Sequence, residues 1–146
     1  MELIAAPSHL KGGLLRRDIE ESLRVGSKVA LVSFESYTLR TLGEIFRRER
    51  NLLLIDATLS GGIYPLLMLA HLLGRYDGFI DEVYGPYAVS LSLSNEFGGI
   101  RRKFFFFFYL LRCLERQIPS RVGAYTSFTQ FNAHFMRVFD KVTFVR

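Results

Sequence analysis

The chain has 146 residues, 49% of them hydrophobic, a formal charge of +5 and an isoelectric point near 9.6. That length suits one domain, residues 1–146, with a core of its own, and the spread of aliphatic and aromatic residues excludes a disordered chain. The single cysteine, Cys113, excludes an internal disulfide framework and a Cys-based zinc site; in its apolar segment it is expected to be a buried thiol in a reducing, cytoplasmic setting.

Residues 3–6 read as a short buried strand, followed by a Pro/Ser/His/Lys/Gly turn. Residues 14–24 then read as a helix, with Leu14, Leu15, Ile19 and Leu23 on one face and Gly26 as its stop. The run KVALVSF at 28–34 has the near-continuous apolarity of a strand covered on both faces. Residues 37–50 form an amphipathic helix with a basic end, Arg47, Arg48 and Arg50, which suits a helix C-terminus. NLLLIDA at 51–57 reads as a second buried strand, broken by Gly61-Gly62, and residues 64–73 as an apolar helix closed by Gly74.

Strand candidates at 78–83 and 87–93 flank the Gly85-Pro86 turn. Residues 100–117 form a long helix that Pro119 prevents from continuing. Residues 121–128 read as a strand, 129–139 as short helix or loop, and 141–145 as a closing strand. Strands alternating with helices predict an α/β three-layer sandwich around a largely parallel sheet. The apolar stretch at 104–111 is too short to span a bilayer, and no secretory signal is visible, so no membrane association is expected.

The turn at 5–12 can be laid over the phosphate-loop pattern G-x-x-x-x-G-K-[ST]. Only Lys11 matches. Ala5 and Leu10 replace the glycines, and Gly12 replaces the hydroxyl that would hold magnesium. Such a loop works because small residues let backbone N–H groups wrap phosphate oxygens, an approach that Leu10 obstructs. Glu35, after the second strand, is a candidate base, or a polar residue ahead of the next helix. The histidines His9, His71 and His134 have no metal-ligand spacing.

Basic residues number 19, of which 15 are Arg, and Arg suits phosphate or acidic partners. Arg101, Arg102 and Lys103 crowd a helix start, where cations are unfavourable. They are therefore candidate contacts for nucleic acid or an acidic partner. The run from Phe104 to Phe108 leaves no polar helix face. Phe104, Phe105 and Phe108 therefore belong either to the core or to a subunit interface.

In this order the pieces resemble the core of RecA-like and KaiC-like ATPases, including archaeal recombinase paralogues. Residues 3–14 are similar to the family's first strand and phosphate loop. GSKVALVSFES at 26–36 is similar to the following strand, so the resemblance places Glu35 near the acidic position that helps activate the attacking water. Residues 87–94 are similar to the strand that should end in the Walker B aspartate. Ser90 or Ser92 stands there, with Asp56 and Asp81 as other placements. Residues 121–128 resemble the strand that senses nucleotide, and DKVTFV at 140–145 the closing strand. With the phosphate chemistry depleted, the resemblance implies a non-catalytic accessory or assembly subunit. It would bind no cofactor and act by protein–protein contact in DNA recombination or repair, as a homo-oligomer or beside a related ATPase. Alternatives are an atypical ATP/Mg-binding ATPase using Lys11, Gly12 and Glu35, and a basic nucleic-acid-binding protein.

Overall fold

A computed structural model describes residues 1–59, 63–84, 98–131 and 133–146; the side chains of residues 98–103 and 134 lie outside that description. Six strands alternate with five helices among these residues. They are β1 (Glu2–Ala5), α1 (Ser8–Arg24), β2 (Lys28–Ser33), α2 (Ser36–Ile45), β3 (Leu52–Asp56) and α3 (Ile63–Leu72). The chain continues through β4 (Tyr76–Asp81), α4 (Gly98–Gln117), β5 (Val122–Thr126), α5 (Ala133–Met136) and β6 (Lys141–Phe144).

All six strands are parallel, in the order β3-β2-β4-β5-β1-β6. A parallel pair needs a long crossover, and each helix supplies one. The sheet separates two cores. Leu15 and Ile19 of α1 and Leu42 of α2 pack on Val29, Leu31, Phe79 and Tyr125. On the other face, Leu66 and Leu69 of α3 and Phe104, Phe108 and Leu111 of α4 pack on Ala30, Val32, Ile80 and Ala124. The alternation of Val29/Leu31 with Ala30/Val32 follows from the two-residue period of a strand. The expected three-layer α/β sandwich is therefore present.

Several local expectations are corrected. Helix α1 starts at Ser8, six residues before residue 14. Pro7 lies at φ −54°, and its carbonyl accepts the amides of Leu10 (2.8 Å) and Lys11 (2.9 Å), so the first turn closes ahead of Gly12 and Gly13, which continue the helix. At its other end Gly26, at φ +90°, permits a Schellman closure, with Ser27 N–H on the Ser22 carbonyl at 3.0 Å. Helix α2 ends at Ile45, because the chain must turn to bring the Asn51 carbonyl to the Val29 amide at 2.7 Å. Arg47, Arg48 and Arg50 thus lie in that turn, outside the helix. β3 is not buried on both faces: it is an edge strand, paired only with β2 and half open to solvent. Cys113 is exposed, on the outer side of α4. The strand expected at 87–93 lies outside the described residues.

Candidate functional site

Parallel strands deliver all their C-terminal ends to one edge of the sheet, and in this fold class that edge is where ligands gather. Here it holds a buried charge cluster centred on Lys11. The lysine stands in the first turn of α1, only 3% exposed. Its Nζ donates to Glu35 Oε2 at 2.6 Å and Glu82 Oε1 at 3.1 Å, and lies 2.9 Å from Asp81 Oδ1. One cation thus meets three carboxylates, leaving two formal negative charges in excess.

Each carboxylate is fixed by its own element. Glu35 is the residue ahead of α2, and its Oε2 also accepts the Thr38 hydroxyl at 3.2 Å. Asp81 ends β4, directly beside Ser33 of β2 in the sheet register, and Ser33 Oγ lies 2.8 Å from Asp81 Oδ2. The Ser33 hydroxyl also accepts the Glu35 amide at 3.1 Å, which ties the two acidic positions together. Glu82 follows at φ +56°, a left-handed conformation that costs a residue with a Cβ about 1–2 kcal/mol. That twist turns its carboxylate onto the Ser127 amide (2.8 Å) and hydroxyl (3.0 Å) as well as onto Lys11.

The charges tune one another. Burial alone would lower the Lys11 pKa; the negative charge of Asp81 and the hydrogen bond to Glu35 override it and raise the pKa well above the lysine range. Asp81 is pushed upward by burial, with Lys11, Ser33 and Thr38 pulling the other way. Lys11 is thus a permanently charged ammonium, and burial makes Asp81 easier to protonate than an ordinary aspartate.

The backbone before Lys11 has few free donors. Only Ala6 and Pro7 separate β1 from α1. The Ala6 amide donates to the Thr126 carbonyl at 3.0 Å, Pro7 has no N–H, and the Leu10 and Lys11 amides are held by Pro7. Leu10 is half-buried within the first helical turn. Beside the cluster a cleft of about 320 Å³ opens between α1 and α2, lined by Gly12, Gly13, Arg16, Tyr37, Thr38 and Ser127 among others. His9 also borders it, and no metal-binding group of His, Cys, Asp or Glu occurs among the described residues.

Two residues singled out in the sequence, Lys11 and Glu35, are therefore in contact, and Gly12 lines the adjoining cleft. Asp81 and Glu82 complete the cluster and were missed as its partners. A strand over 78–83 puts both acidic residues inside the strand; the true end at Asp81 puts them at the rim. The signal available was an apolar strand, GFI, running into two adjacent acids. Asp56 lies at the far, exposed edge of the sheet, and residues 87–94 lie outside the described residues. Arg101, Arg102 and Lys103 occupy the N-terminal part of α4, with side chains outside the description. Phe104 and Phe108 are enclosed by this chain's own core, which leaves them no face for a partner, and Phe105 is partly buried against the same core. The aromatic surface of α4 is instead Phe106, 63% exposed, with Tyr109. No helix among the described residues is long and apolar enough to cross a membrane.

No family model matches the chain, and no curated protein matches it.

Proposed function

We propose that this chain is a non-catalytic, RecA-like accessory subunit that acts through protein contacts, with itself or with a related ATPase, in DNA recombination or repair. The observation that carries the reading is the Lys11 cluster. In working phosphate-loop enzymes the lysine reaches the β- and γ-phosphates, and backbone amides cradle them. Here the ammonium is held by Glu35, Asp81 and Glu82. A triphosphate would have to displace three carboxylates and would meet their surplus negative charge at close range. The two-residue connection from β1 to α1 also leaves too few free amides to wrap phosphate oxygens.

A second reading, an atypical nucleotide-binding ATPase, is favoured by one feature. The cleft beside Gly12 and Gly13 adjoins Lys11, Glu35 and Asp81. Of the two described aspartates open to a Walker B placement, Asp56 and Asp81, it is Asp81 that stands beside the lysine.

Calorimetric titration of the whole chain with ATP and magnesium separates the two. The accessory reading expects no saturable binding at millimolar nucleotide. Saturable binding that is abolished in Lys11→Ala would overturn it in favour of the enzyme.

A further inference from the structure

We propose that the open edge of β3 is a two-fold interface through which two copies of this chain join their sheets antiparallel, centred on Leu54. The inference stands on the sheet edge and does not depend on the accessory-subunit reading.

The two edges of the sheet are unlike. β6 is short and carries Lys141, the kind of charge that blunts an edge against pairing. β3 reads LLLID and has no charge before Asp56. Among the described residues nothing pairs with its outer side. The Asn51 carbonyl and the Ala57 amide turn inward to β2, so by alternation the main-chain groups of Leu52, Leu54 and Asp56 turn outward. An isologous contact requires a self-complementary patch. An antiparallel pair centred on Leu54 supplies it, because Leu54 then exchanges both bonds with its own copy and Leu52 does so with Asp56.

The side chains agree with that register. Leu53 faces Ile55 of the other copy on the α3 side of the sheet. That side is apolar and uncovered: Leu59 is 73% exposed, Tyr64 76% and Met68 51%. Together with Leu53 and Pro65 they line a groove along the strand. Helix α3, IYPLLMLAHL, has no Asp, Glu, Lys or Arg on any side, a composition that belongs under cover. The two-fold brings the α3 helices of both copies together over the joined sheet.

The charges choose the partner. The chain enters β3 through Arg47, Arg48 and Arg50, all exposed and free of ion pairs among the described residues, and leaves it at the exposed Asp56. Thr58 occupies only Oδ1 of that carboxylate, through its amide at 2.8 Å and its hydroxyl at 2.6 Å. Antiparallel self-pairing sets Asp56 opposite Leu52 and diagonal to Arg50 of the second copy, within reach of a long side chain. The basic end of one edge therefore meets the acidic end of the other, twice per dimer.

Sedimentation velocity and light scattering on the full chain at micromolar concentration test the proposal, and a dimer is expected. Leu54→Pro removes an outward amide at a position where an edge strand tolerates proline, and Met68→Glu charges the α3 face; each is expected to give a folded monomer by circular dichroism. Arg50→Glu should weaken the dimer about tenfold, and adding Asp56→Arg should restore it. A monomeric wild-type chain would sink the interface while leaving the nucleotide titration untouched. A dimer indifferent to Met68→Glu, assemblies larger than a dimer, or a charge swap that fails to restore affinity would each overturn it as well.

Discussion

An ammonium buried without a partner costs several kcal/mol, and so does a carboxylate as enclosed as Asp81 when the charge beside it is removed. Lys11 and Asp81 therefore depend on each other, while the more exposed Glu35 can turn to solvent. Lys11→Met should lower the free energy of unfolding by about 3–5 kcal/mol at pH 7, measured by urea denaturation. The pH dependence follows from the signs. In the native chain the Lys11 pKa is raised above its ordinary 10.5, so its contribution is complete below that value and is lost as the pH climbs beyond it. Asp81 is raised above 3.8, so it favours the fold most in acid and progressively less as it ionises. Without the lysine, Asp81 keeps the burial that pushes its pKa upward and loses the charge that opposes it. The deficit of Lys11→Met should accordingly shrink as the pH falls below 7, and a deficit that stays constant would contradict this account. Glu82 separates backbone from side chain. Glu82→Ala and Glu82→Gly both lose the bonds to Lys11 and Ser127, but only glycine relieves φ +56°. The glycine variant should be the more stable by about 1 kcal/mol in the same assay.

Helix α1 carries adjacent glycines inside its second turn. A Cβ at Gly12 or Gly13 would meet nothing within 4 Å, and neither has a positive φ. Neither packing nor conformation requires glycine there. Gly12→Ala and Gly13→Ala should each stabilise the chain by about 0.5–1 kcal/mol, seen as a higher urea midpoint with an unchanged slope. The same glycines hid the start of α1 from the sequence. Their low helix propensity, next to Pro7, reads as a loop, whereas packing of Leu15 and Ile19 on the sheet and the Lys11 ion pairs carry the helix back to Ser8. In α4 the phenylalanine run has no polar side, so its composition could not say which residues turn inward. Spacing does: Phe104, Phe108 and Leu111 lie on one stripe and are buried, while Phe106 and Cys113 fall outside it.

The alternation of apolar strands with amphipathic helices made the layered α/β architecture legible, because that pattern is local. The order of strands is not local. β2 and β3 are both short, mostly apolar runs, yet one is paired on both sides and the other is an edge, and only pairing distinguishes them. The site followed the same division. Lys11 and Glu35 stood out as a lysine after a turn and an acid after a strand. Their convergence on Asp81 and Glu82 depends on where β4 stops and on β2 and β4 being neighbours with Ser33 beside Asp81.

β1, the first strand in the chain, is flanked by the last two: Glu2 aligns with Gly123 on one side and with Lys141 on the other. Neither neighbour exists while the earlier part of the chain is emerging from the ribosome. Leu3 must then wait, its apolar surface uncovered, until β5 and β6 have been synthesised, and closing contacts so distant in sequence is intrinsically slow. Such an arrangement leaves the sheet unable to close while its earlier strands are being made, and it makes that part of the nascent chain a natural client for chaperones.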